Sequence, residues 1–410
     1  MQNLADGGPS ESLVSARRGT RALLGSLPLI AVVMCSVVYA AHFFLGGGRN
    51  HLILDSFAYL QLTQHQQASV PFNTRISTPF LAALIGSVTG LSTSAAFQLL
   101  TSAALLASLL LLRGIIRRRK GSPEWQGALL LAFGCSLAVT FGYTPVVVDP
   151  SLLLLTCLTI AALDTGHLPV ALALACIATM TKEYGLLLGV VWSLHAYRQG
   201  LRKLACLGLV LPATALVILL VTRQSGLGIG FGSWPKFSSH LMLEYQWSVF
   251  RLRGPVAYAE LIYMWSWCAL WPALFISISS LISRFRRREK MTGDELAFAV
   301  LLTALPILLL GDWSRNLIIM VPFACIVVTS HPLAKERYFV SLVAIGGLTT
   351  ALARPFHSEP SPPQTITLIM TIISVVSSLL AGVRLLRFAS SKSSPQIETL
   401  NRPSPEAALP

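Results

Sequence analysis

Read for the alternation of its apolar and polar positions, the chain is a succession of long apolar runs separated by short polar stretches. The runs fall near 22–46, 77–112, 127–148, 150–163, 168–181, 184–197, 204–222, 259–283, 295–311, 316–330, 338–353 and 365–385. A helix needs about 20 residues to cross hydrocarbon, and backbone groups left unpaired cannot face lipid, so such runs predict helices. The expected fold class is all-α: a polytopic integral membrane protein with about 12 transmembrane helices. The expected organisation is a cytoplasmic tail over 1–21, a transmembrane domain over 22–385 with outer loops near 47–76 and 223–258, and a disordered cytoplasmic tail over 386–410. Both tails are polar and rich in Ser and Pro.

Two stretches resist a simple count. The run 77–112 exceeds one crossing and predicts a bend near Pro79 or Gly90. The runs 150–163, 168–181 and 184–197 are shorter than a full crossing. They read either as three short helices or as a re-entrant piece over 150–165 followed by one long crossing over 168–197. The two versions differ on where Asp164 and His167 lie and on how deep Lys182 sits.

Composition agrees with a membrane solvent: 54% of the 410 residues are hydrophobic and 12% charged, against roughly 25% charged in a soluble domain. A net charge of +14 suggests nucleic acid at first sight. The distribution points elsewhere, because the basic residues cluster in short blocks such as "RRRK" (117–120), "RQGLRK" (198–203) and "RFRRREK" (284–290), each falling at the end of an even-numbered apolar run. That is the pattern of cytoplasmic loops, and it puts both termini inside. No nucleic-acid partner is implied.

The seven cysteines lie inside apolar runs and form no C-x-x-C pair, which indicates neither a disulfide framework nor a zinc site. The first apolar run is too long for a signal core and reads as a retained span. The glycines of "GLGIGFGS" lack a following Gly-Lys-Ser/Thr, so they do not read as a phosphate-binding loop. The histidines show no metal-ligand spacing.

The same orientation places the conspicuous polar residues on the outer face: Asp55, Tyr59 and Arg75 in the first outer loop, Asp149, the pair Lys182 and Glu183, and Asp312 with Arg315 in "GDWSRN". A charge at bilayer depth costs about 2.5–3.5 kcal/mol even on the lenient scale, so such residues are paired, cavity-facing or functional. Asp55 reads either as a helix cap in "LDSFAYLQL" or as a base toward an acceptor hydroxyl, with Tyr59 one turn on. Asp149 before Pro150 reads as a helix start or as a second carboxylate, for which a divalent cation, Mg or Mn, is the candidate cofactor. Lys182 and Glu183 read as a snorkelling interfacial pair or as part of a phosphate site. Arg75 and Arg315 offer planar forks for phosphate oxygens, the plain alternative for Arg315 being an ion pair with Asp312.

Taken in order, "DSFAYLQL", "RISTPFLAAL", "VVVDPSLLLL", "TKEYGLLL" and "GDWSRNLIIMVP" resemble the GT-C class of integral membrane glycosyltransferases over roughly residues 20–330. The resemblance implies sugar transfer from a polyprenyl-phosphate donor to a glycan or lipid acceptor on the outer face of the bacterial inner membrane. It implies Asp55 as catalytic carboxylate and Asp149 as the assisting acid. Arg75, Lys182 and Arg315 would hold the donor phosphate. The chain departs from the class in lacking a paired Asp-x-Asp or Glu-Asp in the first loop and a soluble outer domain. A transporter, or a non-catalytic lipid-binding scaffold, is the alternative; a transporter would carry its charges at midplane and repeat its halves.

Overall fold

The computed structural model describes residues 11–45, 54–64, 75–143, 146–224, 251, 271–286, 288–303, 317–353 and 364–393. Among them every extended element is a helix: α1 (Glu11–Leu45), α2 (Leu54–Thr63), α3 (Ser77–Thr89), α4 (Thr93–Arg118), α5 (Pro123–Tyr143), α6 (Asp149–Asp164), α7 (Leu168–Thr181), α8 (Leu186–Arg198), α9 (Arg202–Ala205), α10 (Leu207–Gln224), α11 (Trp271–Arg286), α12 (Gly293–Thr303), α13 (Val321–Thr329), α14 (Arg337–Ala353) and α15 (Gln364–Ser393). The all-α class expected from the sequence holds. Helix α1 starts eleven residues ahead of its apolar run, because "SARRGTRALL" is rich in helix-forming Ala, Arg and Leu.

The helix boundaries follow local chemistry. The long run 77–112 is two helices, parted at Gly90, whose φ of 72° ends α3 and whose N–H bonds the Gly86 carbonyl at 2.9 Å. Pro79 sits in the first turn of α3, where a missing N–H costs nothing. Ser92 then caps α4 by accepting from the Ala95 N–H at 3.3 Å, and Arg117 and Arg118 occupy its last turn, where cations suit the dipole. At α12, the Thr292 hydroxyl accepts from the Glu295 N–H while the Glu295 carboxylate accepts from the Thr292 N–H, a reciprocal capping box.

The region 149–198 is three helices, and the single long crossing over 168–197 is ruled out. Trp192 Nε1 donates to the Leu168 carbonyl at 2.8 Å. In one continuous helix these residues would stand about 36 Å apart, so α8 folds back along α7.

Helix α4 is central, packing against α1, α3, α5, α6 and α13. Its inward residues Phe97, Leu105, Leu109, Leu112, Ile115 and Ile116 join Phe133 and Phe141 of α5 and Cys157 of α6 in one continuous buried cluster. Outward faces are apolar too. On α15, Ile369, Ile372, Ile373, Val376, Leu379, Leu380, Val383 and Leu386 are 36–69% exposed, an apolar stripe about 26 Å tall. Similar residues face outward on α1, α3 and α10. Among the described residues, Thr93–Arg118 and Arg202–Leu219 are by themselves long and apolar enough to cross a membrane. Helices α6, α7 and α8, with 16, 14 and 13 residues, fall short of that length.

Charges collect at the two ends of α6. At its C-terminal end Asp164 receives Arg119 Nη2 at 2.7 Å and lies 3.5 Å from Arg118 Nε. Arg119 also holds Asp294 of α12, and Arg198 donates to the Met291 carbonyl. This end therefore gathers the "RRRK" block, Asp164 and the end of α8. The other end, about 22 Å away along the helix, carries Asp149.

Candidate functional site

Around Asp149 four segments meet. Helix α2 is laid down by Tyr59, which is fully buried and stacks on Phe97 of α4 with ring centroids 6.1 Å apart. Its first turn is fastened by Ser56, whose hydroxyl donates to the Val146 carbonyl at 3.0 Å. Val146 is three residues ahead of Asp149, and Asp55 is the neighbour of Ser56, so the backbone of α2 abuts the stretch of chain that leads into α6. Asp55 is the second residue of α2, one turn before Tyr59; its side chain lies outside the described residues.

Arg75 ends the segment before α3 and is 7% exposed. Its guanidinium forks onto Glu183, Nε to Oε2 at 3.0 Å and Nη2 to Oε1 at 2.5 Å, and its Nη1 donates to the Tyr59 hydroxyl at 2.9 Å. This is the bidentate geometry that a planar fork supports and an ammonium does not. Burial alone would push the Arg75 guanidinium down, but Glu183 and Tyr59 outweigh it and hold it well above the ordinary arginine value. Burial likewise pushes the Glu183 carboxyl up, and Arg75, with Lys182 behind it, brings it below the ordinary glutamate value. The Ser77 and Thr181 hydroxyls hydrogen-bond beside the fork.

Lys182 closes α7 in extended conformation, φ −158° and ψ 138°, and turns away from Glu183 to meet Asp149 across α6, Nζ to Oδ1 at 2.6 Å. The ammonium also lies 5.7 Å from the centre of the Tyr184 ring. A short 3₁₀ turn, Glu183–Gly185, leads into α8. Gly185 packs so tightly on α7 that a Cβ there would fall 2.2 Å from the Ala178 carbonyl carbon. Two adjacent side chains thus leave the turn in different directions, each to an opposite charge from a distant segment.

Five of the residues singled out by the sequence, Tyr59, Arg75, Asp149, Lys182 and Glu183, come together here. Asp312 and Arg315 lie outside the described residues, although the 317–319 turn that follows them packs on α6. Lys182 does not snorkel, being 2% exposed. Val148, not Asp149, occupies the position that caps α6. The sequence reading passed over Ser56, Ser77, Thr181 and Tyr184; only their adjacency to Asp55, Arg75 and the Lys-Glu pair marks them.

Charge balance shapes what this arrangement does. Two cations and two carboxylates cancel, and carrying unpaired ions into such burial would cost several kcal/mol each. The neutral constellation is a buried, mutually paired polar cluster at one end of the helices. Asp149, with an ammonium 2.6 Å from its oxygen, is a poor ligand for a divalent cation, and among the described residues no three His, Cys, Asp or Glu side chains gather to hold one. In comparisons with protein-family models and with curated proteins, the chain matches none.

Proposed function

We propose that this chain is an integral membrane glycosyltransferase of GT-C type, with about 12 transmembrane helices, its termini cytoplasmic, and its site facing the exterior of a bacterial inner membrane. The donor is a polyprenyl-phosphate sugar and the acceptor a glycan or lipid hydroxyl. The apolar stripe on α15 supports the membrane part of this reading, since its height approaches that of the roughly 30 Å hydrocarbon core. The basic clustering beside Asp164, with the acid-base constellation at the opposite end of α6, supports the orientation. The observation that carries the transfer reading is the junction of α2 with the Asp149 segment through Ser56 and Val146. It sets Asp55 and Tyr59 on the same end as the two ion pairs.

In this reading Asp55 takes the proton of the acceptor hydroxyl as its oxygen bonds the anomeric carbon. The bond from that carbon to the lipid phosphate breaks with inversion, and the phosphate leaves with the electron pair. Arg75 and Lys182, fixed in place by Glu183 and Asp149, offset the charge that develops on the departing group. No step requires a metal ion.

The neutralised ion pairs favour one rival, a lipid-binding scaffold in which the constellation only ties helices together. Asp55→Asn separates the two. The transferase reading expects loss of surface glycan and accumulation of the lipid-linked sugar at normal membrane levels of the protein; unchanged glycan at normal levels leaves the scaffold.

A further inference from the structure

The bend between α8 and α10, at the end of the molecule opposite Asp149, has a composition that neither the transfer reaction nor the packing uses. Helix α8 ends in a Schellman motif: the Leu201 N–H bonds the Ala196 carbonyl and the Gly200 N–H bonds the Tyr197 carbonyl, both at 3.0 Å, with Gly200 at φ 82°. The motif turns the chain outward into α9. There Arg202 and Lys203 are exposed side by side, flanked by Leu201 and Leu204, which are 37% and 47% exposed. Below them the exposed apolar face of α10 begins at once with Leu209, Val210 and Leu211.

The cations are arranged rather than scattered. The Arg202 guanidinium lies 5.6 Å from the centre of the Tyr197 ring, itself 56% exposed. A guanidinium over an exposed ring is held at the surface by the ring's quadrupole and keeps N–H donors that pair with phosphate oxygens. Lys203 adds a point charge next to it. No acidic residue occurs between Glu183 and Glu244, so nothing in the local sequence competes for these cations. Apolar side chains at the same level suit acyl chains, and an aromatic ring suits the headgroup boundary.

We propose that this elbow binds the headgroup of an acidic phospholipid in the cytoplasmic leaflet, Arg202 and Lys203 holding the phosphate and Leu201 and Leu204 resting on the acyl chains. The proposal rests on the membrane-spanning part of the reading above and is independent of sugar transfer.

The test uses the full chain, purified and stripped of lipid, with phosphatidylglycerol and phosphatidylcholine titrated separately and bound lipid counted by native mass spectrometry. Binding of phosphatidylglycerol should exceed that of phosphatidylcholine, and Arg202→Gln with Lys203→Gln should weaken it about tenfold while leaving phosphatidylcholine unchanged. Removing two exposed cations from the end of α11 and the residues after it, Arg286→Gln with Lys290→Gln, is the control for general charge and should weaken it less than the elbow variant does. Equal losses in both double variants, or no preference for the acidic lipid, overturn the site. Displacement of bound phosphatidylglycerol by inorganic phosphate alone also overturns it, since the elbow would then read a free anion. An alkaline wash of membranes tests the membrane reading separately: release of the chain would sink that reading, whereas retention with no lipid selectivity sinks only the elbow.

Discussion

Lys182 and Asp149, 33 residues apart in the chain, meet with 2.6 Å between Nζ and Oδ1 where neither side chain is more than 3% exposed. A pair buried this deeply is weak evidence of net stabilisation, because desolvation opposes attraction, but it makes each partner hostage to the other. Lys182→Met strands a carboxylate and should cost about 3–5 kcal/mol. Lys182→Met combined with Asp149→Asn should recover much of that. Unfolding of the purified variants reads both, and a double variant no better than the single one would mean that the two charges act separately.

The fork on Glu183 makes a second prediction. Arg75→Lys keeps the charge but cannot make two parallel bonds and a third to Tyr59, so it should lose about 1.5–3 kcal/mol. Tyr59→Phe removes one hydrogen bond and should lose about 1 kcal/mol. The order of the two in a thermal unfolding series is the check; equal losses would show that Arg75 is held by something other than the fork.

Acid should loosen this end of the molecule. Glu183 titrates below its ordinary value when folded, so its contribution is present above the unfolded glutamate pKa of about 4.3 and is lost as pH falls through the lower folded value. Asp294, at the other end, is raised by burial against the pull of Arg119; it contributes in the opposite sense, most below the unfolded aspartate pKa and less as pH rises through its folded value. Melting curves from pH 7 to pH 3 should therefore steepen for the wild type at the acid end. Glu183→Gln should start lower and fall less.

Gly185→Ala should act through packing alone. Its Cβ would enter the Ala178 carbonyl, and relieving that overlap should cost about 1–3 kcal/mol and disturb both Lys182 and Glu183. A variant that melts like the wild type would show that α7 and α8 can part without cost.

Much of this is legible in the amino-acid sequence itself. The bend in 77–112 announces itself through Pro79 or Gly90, of which Gly90 is the actual break, and Lys182 with Glu183 stands out because two ions interrupt an apolar stretch. What the sequence hides is partnership. Arg75 and Glu183 are 108 residues apart, and no periodicity links them, so each reads as a lone charge waiting for a ligand. The folded-back course of α7 and α8 was equally open, because 14 and 13 apolar residues fit one long helix as well as two short ones. A carbonyl contact from Trp192 decided it.

Helix α6 is riveted at both ends, by Lys182 on Asp149 and by Arg119 on Asp164. A piston stroke of even one residue, about 1.5 Å, would pull both rivets at once, so its vertical register is fixed against α4 and α7. The two ion pairs therefore clamp a segment about 22 Å long at both of its ends, and a displacement of Asp149 along the axis strains the Arg119 contact as well.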